Sequence, residues 1–313
     1  MNRNTKKIKQ GDRLLKMPGK LDRGPVDFQS HPPGKMGEIM NIATKDVISV
    51  PQTTTILGAV EEMNNHGFRR LPVTDAGTKK MRGIVTAGDI IDFMGGGSRF
   101  NLVQVKHHGN LIAALNDSVR EIMTEAMIML STTSSFEDAV DIIVQKKVGG
   151  LPIIDDEGVL SGIVTERDAM KVLSTKQTDL VVEDIMTTSL RITTPDSAIG
   201  EATKEMVSHQ FRRLPVVKDD VLFGIVTAMD VIHYIGGKKV FEKLVTGDVS
   251  EIMGLPVRTL INGNLFTITP EKNINEAALE MVERNVGALP VIEDARLVGL
   301  VTEFDLVKAF AER

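Results

Sequence analysis

Hydrophobic and polar positions along this chain follow a pattern of short runs that occurs four times. Apolar residues at helical spacing, such as Ile56, Val60 and Met63, predict an amphipathic helix with one buried face. Two short apolar runs follow each such helix, and the polar turn between them predicts a pair of neighbouring strands. Because another short run precedes the helix and a second helix follows the strands, every copy is predicted to be β-α-β-β-α.

A fixed signature marks the two strands of each copy. A Leu-Pro strand is followed by a Gly-hydrophobic-hydrophobic-Thr-x-x-Asp turn, and the distance from the Pro to the Asp is 17, 16, 15 and 15 residues along the chain. Copies one and three carry Phe-Arg-Arg before the Leu-Pro, whereas copies two and four carry Val-Gly-Gly or Val-Gly-Ala and continue the turn with Thr-Glu. This alternation indicates that the natural unit is a pair of copies and that the chain contains two pairs.

The predicted fold class is therefore α/β (α+β), with repeats that pair because a lone copy of about 60 residues leaves one sheet face uncovered. The predicted segments are a basic arm at 1–36, copies at 37–97, 117–175, 180–237 and 248–312, and modules at 37–175 and 180–312. A lead-in helix with the motif GEIM, REIM, EDIM or SEIM opens each copy. We expect this motif to place Met40, Met123, Met186 and Met253 in one structural position.

Composition and charge exclude several classes of protein. The chain has no cysteine, so disulfides, thiolate nucleophiles and cysteine-bound zinc are excluded. No apolar run approaches the length of a membrane span and the N-terminus lacks a signal-peptide core, so we expect a cytoplasmic protein without membrane contact. Residues 1–36 carry nine Lys and Arg against three Asp. Such an arm is either a solvated tail or a contact for nucleic acid or an acidic partner.

The candidate chemistry lies where each signature strand ends and the next helix begins. Thr followed at the third position by an acid is typical of a capping box, which is a purely structural interpretation. The same helix N-terminus suits phosphate, and a nearby carboxylate can accept hydrogen bonds from ribose hydroxyls. The two interpretations are compatible. The residues are Thr86, Thr165, Thr227 and Thr302 for the turn, and Asp89, Asp168, Asp230 and Asp305 for the acid.

Adjacent arginines favour phosphate binding in copies one and three. Arg69 and Arg70, like Arg212 and Arg213, directly precede a predicted buried strand, and a guanidinium group offers a rigid fork that suits phosphate oxygens. Surface ion pairing is the alternative. Since neighbouring strand residues point to opposite faces, we expect one arginine of each pair to face a cleft. The small residues at these positions in copies two and four are expected to allow close approach of a ring or ribose.

At these residues the chain resembles the CBS-domain family, named for cystathionine β-synthase. Two such domains form a Bateman module, and chains with four resemble the gamma subunit of AMP-activated protein kinase and its archaeal relatives. The resemblance implies a disk-like assembly that binds AMP, ADP, ATP or related adenosyl compounds between paired domains, with no required cofactor and no metal. It implies ribose at the four Asp, phosphate at the Thr and Arg, and adenine along the first strands near Ile48, Ile128, Arg191 and Phe266.

Three functions remain open from the sequence. The first is a non-catalytic adenine-nucleotide sensor that regulates an unidentified protein partner, either as a monomer with internally paired modules or as a homodimer. The second is a sensor of S-adenosylmethionine or methylthioadenosine, which needs the same Asp and less phosphate charge. The third is a nucleic-acid-binding regulator that uses the basic arm. No catalytic constellation stands out, so an enzyme is not expected.

Overall fold

The structure is a computed structural model that describes residues 37–237, 244–261 and 263–312. The predicted basic arm at 1–36 therefore lies outside the described residues. Within them copies one and two follow the predicted order of elements, whereas the first strand of copies three and four is reduced to a single bridge. The fold class is confirmed as paired α/β repeats.

The first pair of copies contains six strands. Copy one comprises α1 (Ile39–Ile42), β1 (Val50–Pro51), α2 (Ile56–His66), β2 (Arg70–Thr74), β3 (Met81–Thr86) and α3 (Ala87–Ile91), which continues as a π-helical turn over Asp92–Gly96. A connecting region holds Ser98–Phe100, Leu102–Lys106 and α4 (Leu111–Leu115). Copy two comprises a 3₁₀ turn (Val119–Glu121), β4 (Leu130–Ser131), α5 (Phe136–Lys146), β5 (Gly150–Ile154), β6 (Leu160–Thr165) and α6 (Glu166–Leu173).

The second pair repeats this order with shorter sheets. Copy three comprises α7 (Val182–Ile185), α8 (Ile199–Ser208), β7 (Arg213–Lys218), β8 (Val221–Thr227) and α9 (Ala228–Gly236). Copy four comprises α10 (Ser250–Met253), a 3₁₀ turn (Val257–Thr259), α11 (Ile274–Glu283), β9 (Ala288–Glu293), β10 (Arg296–Thr302) and α12 (Glu303–Ala311).

The first strand of each copy is short, and in the second pair it shrinks to one residue. In copies one and two it pairs in parallel with the Leu-Pro strand, which pairs antiparallel with the signature strand. In copy three a single parallel bridge joins Thr193 to Val216. After this bridge the chain turns into α8, and Thr194 and Ser197 exchange side-chain hydrogen bonds in the turn. Three-stranded sheets are thus present in copies one and two alone among the described copies.

The two copies of a module meet through their sheets and lead-in segments. Bridges join Thr44 to Ile163, Ile84 to Thr124 and Thr187 to Leu300. In each case the lead-in of one copy lies against the signature strand of the other copy. Each cleft above a signature strand is therefore built from both members of a pair.

These bridges correct the predicted alignment of the lead-in methionines. Met123 and Met186 do occupy one position, because their sulfur atoms lie against Gly83 and Gly299 of the paired signature strands. Ala43 lies against Gly162 in copy one, and Ile261 lies against Gly224 in copy four. The position taken by Met123 and Met186 is therefore occupied by Ala43 in copy one and by Ile261 in copy four, not by Met40 and Met253. The prediction was wrong for them because the repeated letters of the motif do not coincide with the repeated backbone position.

The apolar cores are shared between modules, and each also takes in the lead-in segments of the paired copies. One buried cluster joins α2, α3 and their strands in copy one to α8 and α9 in copy three. A second joins α5 and α6 of copy two to α11 and α12 of copy four. Fully burying one large aliphatic side chain contributes about 1.5–3 kcal/mol, so these clusters hold the two modules together.

Candidate functional site

The signature Thr and Asp form a complete capping box in every copy. Each Thr hydroxyl accepts a hydrogen bond from the Asp amide, at N···O distances of 3.2, 3.4, 3.3 and 3.3 Å in chain order. The Asp Oδ2 in turn accepts bonds from the Thr amide and the Thr hydroxyl, the latter at 2.7 Å in all four copies. The structural interpretation of the motif is therefore correct.

The capping hydrogen bonds use one carboxylate oxygen of each Asp, Oδ2, and do not involve the other oxygen, Oδ1. Among the described residues, Oδ1 of Asp168, Asp230 and Asp305 has no hydrogen-bond or ion-pair partner. These three side chains are half-buried. Burial raises the pKa of Asp230 and of Asp305, and the bonds from the Thr residues oppose that shift. A partly buried acceptor with a free oxygen at a helix start is suited to paired hydroxyl donors.

The strand opposite each cap carries the residues that distinguish the copies. Thr86 pairs with Arg70, Thr165 with Gly150, Thr227 with Arg213 and Thr302 with Ala288. The residue after each Thr donates its amide hydrogen to the carbonyl one position earlier on that strand. The caps and the Arg or Gly positions are thus direct neighbours in all four copies.

The arginines of copies one and three meet glutamates of the other two copies. Nη1 of Arg69 lies 2.6 Å from Oε2 of Glu303, and Nε of Arg167 lies 2.5 Å from Oε1 of the same carboxylate. Nη1 of Arg212 lies 2.8 Å from Oε2 of Glu166. Glu166 is 4% exposed and Glu303 is 1% exposed. These ion pairs, in which the carboxylate is buried and the arginine is partly exposed, cross from one module to the other.

The second arginine of each pair contacts its own module. Arg70 donates to the carbonyl of Gly149, and Arg213 donates to the carbonyl of Gly287. The expectation that one arginine of each pair faces the cleft is therefore wrong. Because β2 begins at Arg70 and β7 begins at Arg213, the preceding arginine is not bound to strand alternation, and both side chains reach the same region.

We call this region the arginine centre; it comprises Arg69, Arg70, Arg167, Arg212 and Arg213 with Glu166 and Glu303. Burial, followed by repulsion from Arg212, lowers the pKa of Arg70 to about 10. Burial and Arg69 lower the pKa of Arg213 to about 10. Burial alone would raise the pKa of Glu303, but Arg69 and Arg167 outweigh it and hold that pKa below its usual value. Five cations face two carboxylates, so the centre favours further anions.

The glycines of copies two and four make room for these guanidinium groups. A methyl group on Gly149 would meet the guanidinium groups of Arg70 and Arg212, and one on Gly287 would lie 2.6 Å from Nη2 of Arg69. The expectation that the small residues admit a ring or ribose is therefore corrected: the close neighbour is an arginine. The alternation of Arg-Arg with Gly-Gly along the chain reflects this packing.

The four positions expected to line an adenine all lie two residues before the paired residue of the first strand or bridge. Ile48 and Phe266 pack against the two apolar clusters, and Ile128 is 37% exposed. Arg284 covers the ring of Phe266, with its guanidinium carbon 5.0 Å from the ring centroid. Arg191 borders a cleft of about 330 Å³. A role for these residues in ligand binding stays a prediction.

Four site residues were not predicted from the sequence. Glu166 and Glu303 belong to the repeated Thr-Glu of copies two and four, so the repeat offered a signal that the next residue of the turn has a function. Arg167 follows Glu166 and reaches Val286 as well as Glu303. Arg99 lies in a linker, contacts Asp89 and has no repeat counterpart that could have singled it out.

The family of this chain follows from its match to a known profile. The CBS domain profile matches residues 37–96, 119–175, 182–237 and 249–312. The chain belongs to the CBS-domain family, with four domains.

Relatives with the same four-domain length exist in archaea. The uncharacterized protein MJ1225 of Methanocaldococcus jannaschii is 40% identical over 276 residues, which cover 87% of this chain and 99% of that protein. Its crystal structure, described as that of a candidate archaeal homologue of γ-AMPK, is similar with a TM-score of 0.83 at 38% identity, over 87% and 99% of the two chains. An uncharacterized 33.4 kDa protein of Thermofilum pendens is 27% identical over 82% of this chain and 86% of its own. The predicted resemblance is confirmed.

The described residues contain neither a membrane-spanning helix nor a metal-binding cluster. Within 37–237, 244–261 and 263–312, no helix has the length and apolar character that crossing a membrane requires. The same residues contain no cluster of His, Cys, Asp and Glu that could hold a metal ion.

Proposed function

We propose that this CBS-domain regulatory protein is a non-catalytic sensor of AMP, ADP or ATP, which bind in the clefts between paired domains. The observation that carries the proposal is the arginine centre, where cations outnumber carboxylates beside the four capped Thr-Asp helix starts. A ligand suited to this arrangement combines hydroxyl donors with several negative charges, as a nucleotide does.

The ribose and phosphate parts of the ligand take different groups. In the cleft at Asp168, Asp230 or Asp305, the free Oδ1 accepts from ribose hydroxyls while Oδ2 remains in the cap. The phosphates extend toward the Thr hydroxyls and the arginine centre. Charge-assisted hydrogen bonds of this kind contribute about 1.5–3 kcal/mol each.

The adenine part of the ligand meets residues from the opposite copy. The signature strands β3, β6 and β10 are bridged to the lead-in of their partner copy, so the first-strand residues of that copy border the cleft. By this pairing, Asp305 shares a cleft with Arg191 and Asp168 shares one with Ile48. Apolar side chains such as Ile48 offer contact area for a base.

Phosphate binding competes with the ion pairs between modules. Glu303 holds Arg69 and Glu166 holds Arg212 across the interface, and an incoming phosphate is a stronger anion for the same guanidinium groups. Nucleotide binding therefore exchanges contacts between modules for contacts to the ligand. We propose that a protein partner responds to this change at the module interface.

The proposal is tested by titrating the intact chain with AMP, ADP and ATP and by competing each with S-adenosylmethionine. Saturable binding of nucleotide that S-adenosylmethionine does not displace supports it. Binding of S-adenosylmethionine alone would support the adenosyl-sensor alternative. Absence of any nucleotide binding at millimolar concentration would overturn the proposal.

A further inference from the structure

The cleft of copy one differs from the other three in the partner of its signature carboxylate, Asp89. Nη2 of Arg99 is 2.8 Å from Oδ1 of Asp89, whereas Oδ1 of Asp168, Asp230 and Asp305 has no partner within 37–237, 244–261 and 263–312. Asp89 is also buried, at 8% exposure, whereas the other three acids are half-buried. An internal cation therefore covers the carboxylate oxygen that a ribose would use.

The glycine run before Arg99 bends the chain back over α3. Gly95 has a φ of 137°, a value that residues with a side chain rarely adopt. A methyl group on Gly97 would lie 2.8 Å from Oδ1 of Asp92, so the chain passes close above that carboxylate. The amide of Arg99 then donates to the same oxygen at 2.8 Å. The backbone that carries Arg99 is fixed by these contacts.

The guanidinium group of Arg99 joins both sides of the cleft. Nη1 lies 3.0 Å from Oδ2 of Asp92 on the copy-one side. On the copy-two side, Nε donates to the carbonyl of Ile122 at 2.7 Å and Nη2 donates to the hydroxyl of Thr124 at 3.1 Å. Ile122 and Thr124 belong to the lead-in that borders this cleft. The arginine thus spans the cleft with all three of its nitrogens bonded.

The sequence of copy three provides an internal comparison. Arg99 is ten residues after Asp89, and the residue ten positions after Asp230 is Val240. Asp92 corresponds in the same way to His233. Copy three, which otherwise shares Phe-Arg-Arg with copy one, therefore lacks both the arginine and the second acid that holds it.

We propose that Arg99 is a built-in occupant of the copy-one cleft, which excludes nucleosides from Asp89 and leaves the clefts at Asp168, Asp230 and Asp305 as the ligand sites. This inference rests on the proposed function. Displacing Arg99 would leave Asp92 and Asp89 side by side without their shared cation, which costs more than a ribose returns. In the copy-one cleft, Arg99 takes the place that a ligand takes in the clefts at Asp168, Asp230 and Asp305.

The test compares the intact protein with Arg99→Met, which keeps the length of the side chain and removes its charge. Crystals of each grown with AMP are expected to show nucleotide at Asp89 in Arg99→Met and none at Asp89 in the original chain. Calorimetry is expected to give Arg99→Met one more AMP site per chain. Arg82→Met is the matched control, because Arg82 pairs with Asp75 on an exposed hairpin.

The two proposals fail in different ways. AMP bound at Asp89 in the original chain would overturn the role of Arg99 and leave the nucleotide sensor intact. An Arg99→Met protein that folds but gains no site would also overturn it. A chain that binds no AMP at any cleft would overturn the proposed function. If Arg99→Met does not fold, the crystal of the original chain with AMP still tests the role of Arg99.

Discussion

At the scale of single residues, every signature Asp uses one carboxylate oxygen in its helix cap, and the copies differ in what meets the other oxygen. Oδ2 completes the cap of the helix, and Oδ1 of Asp168, Asp230 or Asp305, which has no partner among the described residues, is the oxygen that we propose for a ligand. This division explains why the capping and ligand interpretations of the sequence are compatible. A substitution of a signature Asp therefore changes both the helix cap and the proposed ligand contact. Its effect must be compared with that of the same substitution in a capping box that lies outside the clefts.

We predict that Asp168→Asn weakens AMP binding at its cleft by roughly ten- to a hundredfold, which corresponds to about 1.5–3 kcal/mol. The amide keeps one acceptor but loses the charge that strengthens bonds from ribose hydroxyls. Calorimetric titration measures the loss.

The matched control for that substitution is Asp138→Asn. Asp138 forms the same capping box with Ser135 at the start of α5, on an exposed surface away from the clefts. Both variants should lose similar stability. Equal AMP affinity in the two variants would show that the signature carboxylate does not bind ligand.

We predict that Gly150→Ala lowers the free energy of unfolding by about 1–3 kcal/mol. The added methyl group would overlap the guanidinium group of Arg70 and lie 3.1 Å from the carbonyl oxygen of Val164. Chemical denaturation measures the change. Gly77→Ala is the control, because its methyl group would have only an ordinary contact of 3.7 Å, and a similar loss in both variants would contradict the packing described.

The sequence predicted the residues of the site better than their contacts. The capping Thr and Asp residues and the paired arginines of copies one and three were named from the sequence because they recur in the repeat, whereas Arg167 and Arg99 were not. The ion pairs of Arg69 with Glu303 and of Arg212 with Glu166 were not predicted, since they join copies that are not neighbours along the chain. Strand alternation also failed at Arg69, which lies just outside its strand.

At the scale of elements, the helices that start with Thr-Glu link the caps to the arginine centre. Glu166 opens α6 and Glu303 opens α12, and each reaches an arginine of the opposite module. Arg69 and Arg167 contact Glu303 directly, while Arg70 and Arg213 act on it from nearby. Removing one partner of a buried ion pair typically costs about 3–5 kcal/mol.

We predict that Glu303→Gln lowers stability at neutral pH and flattens its dependence on acid pH. The pKa of Glu303 is lower in the folded protein than its ordinary value of 4.5. Its charge therefore stabilises the fold above about pH 4.5. This contribution is lost as the pH falls through the lowered folded pKa, and thermal unfolding between pH 7 and pH 3 measures it.

The control for this prediction is Glu276→Gln. Glu276 lies 2.7 Å from Lys272, but both side chains are more than half exposed, so their ion pair contributes little. The difference in stability between the original chain and Glu303→Gln should shrink on acidification. A difference that stays constant with pH would contradict the role assigned to the Glu303 charge.

The lead-in segments show what a sequence repeat leaves open at this scale. The motif ending in Ile-Met recurs four times, yet only Met123 and Met186 share a backbone position. In copy four, the Ile-Met of the motif lies in α10, a 3₁₀ turn follows, and Ile261 after that turn lies against Gly224 of the signature strand. A short sequence motif that recurs by chance near a true structural repeat looks the same as part of that repeat. Only the pairing of the strands shows which residues occupy equivalent backbone positions.

At the scale of the whole molecule, sheets join the copies within a module and helices join the modules. The two apolar clusters combine copies one with three and two with four. The arginine centre touches all four copies. Under the proposed function, ligand contacts at this centre act on the interface between modules. The periodicity of the chain predicted the copies and their pairing, whereas the shared cores depend on contacts between segments far apart in sequence.

The most direct test of the account is calorimetric titration of the intact chain with ATP and with adenosine. The two ligands share the base and the ribose, so the difference between them isolates the phosphates. We predict that ATP binds at least tenfold more tightly than adenosine and that added salt reduces this advantage, because the phosphates meet the arginine centre. Equal affinity for the two ligands, or no binding of ATP at millimolar concentration, would contradict the account.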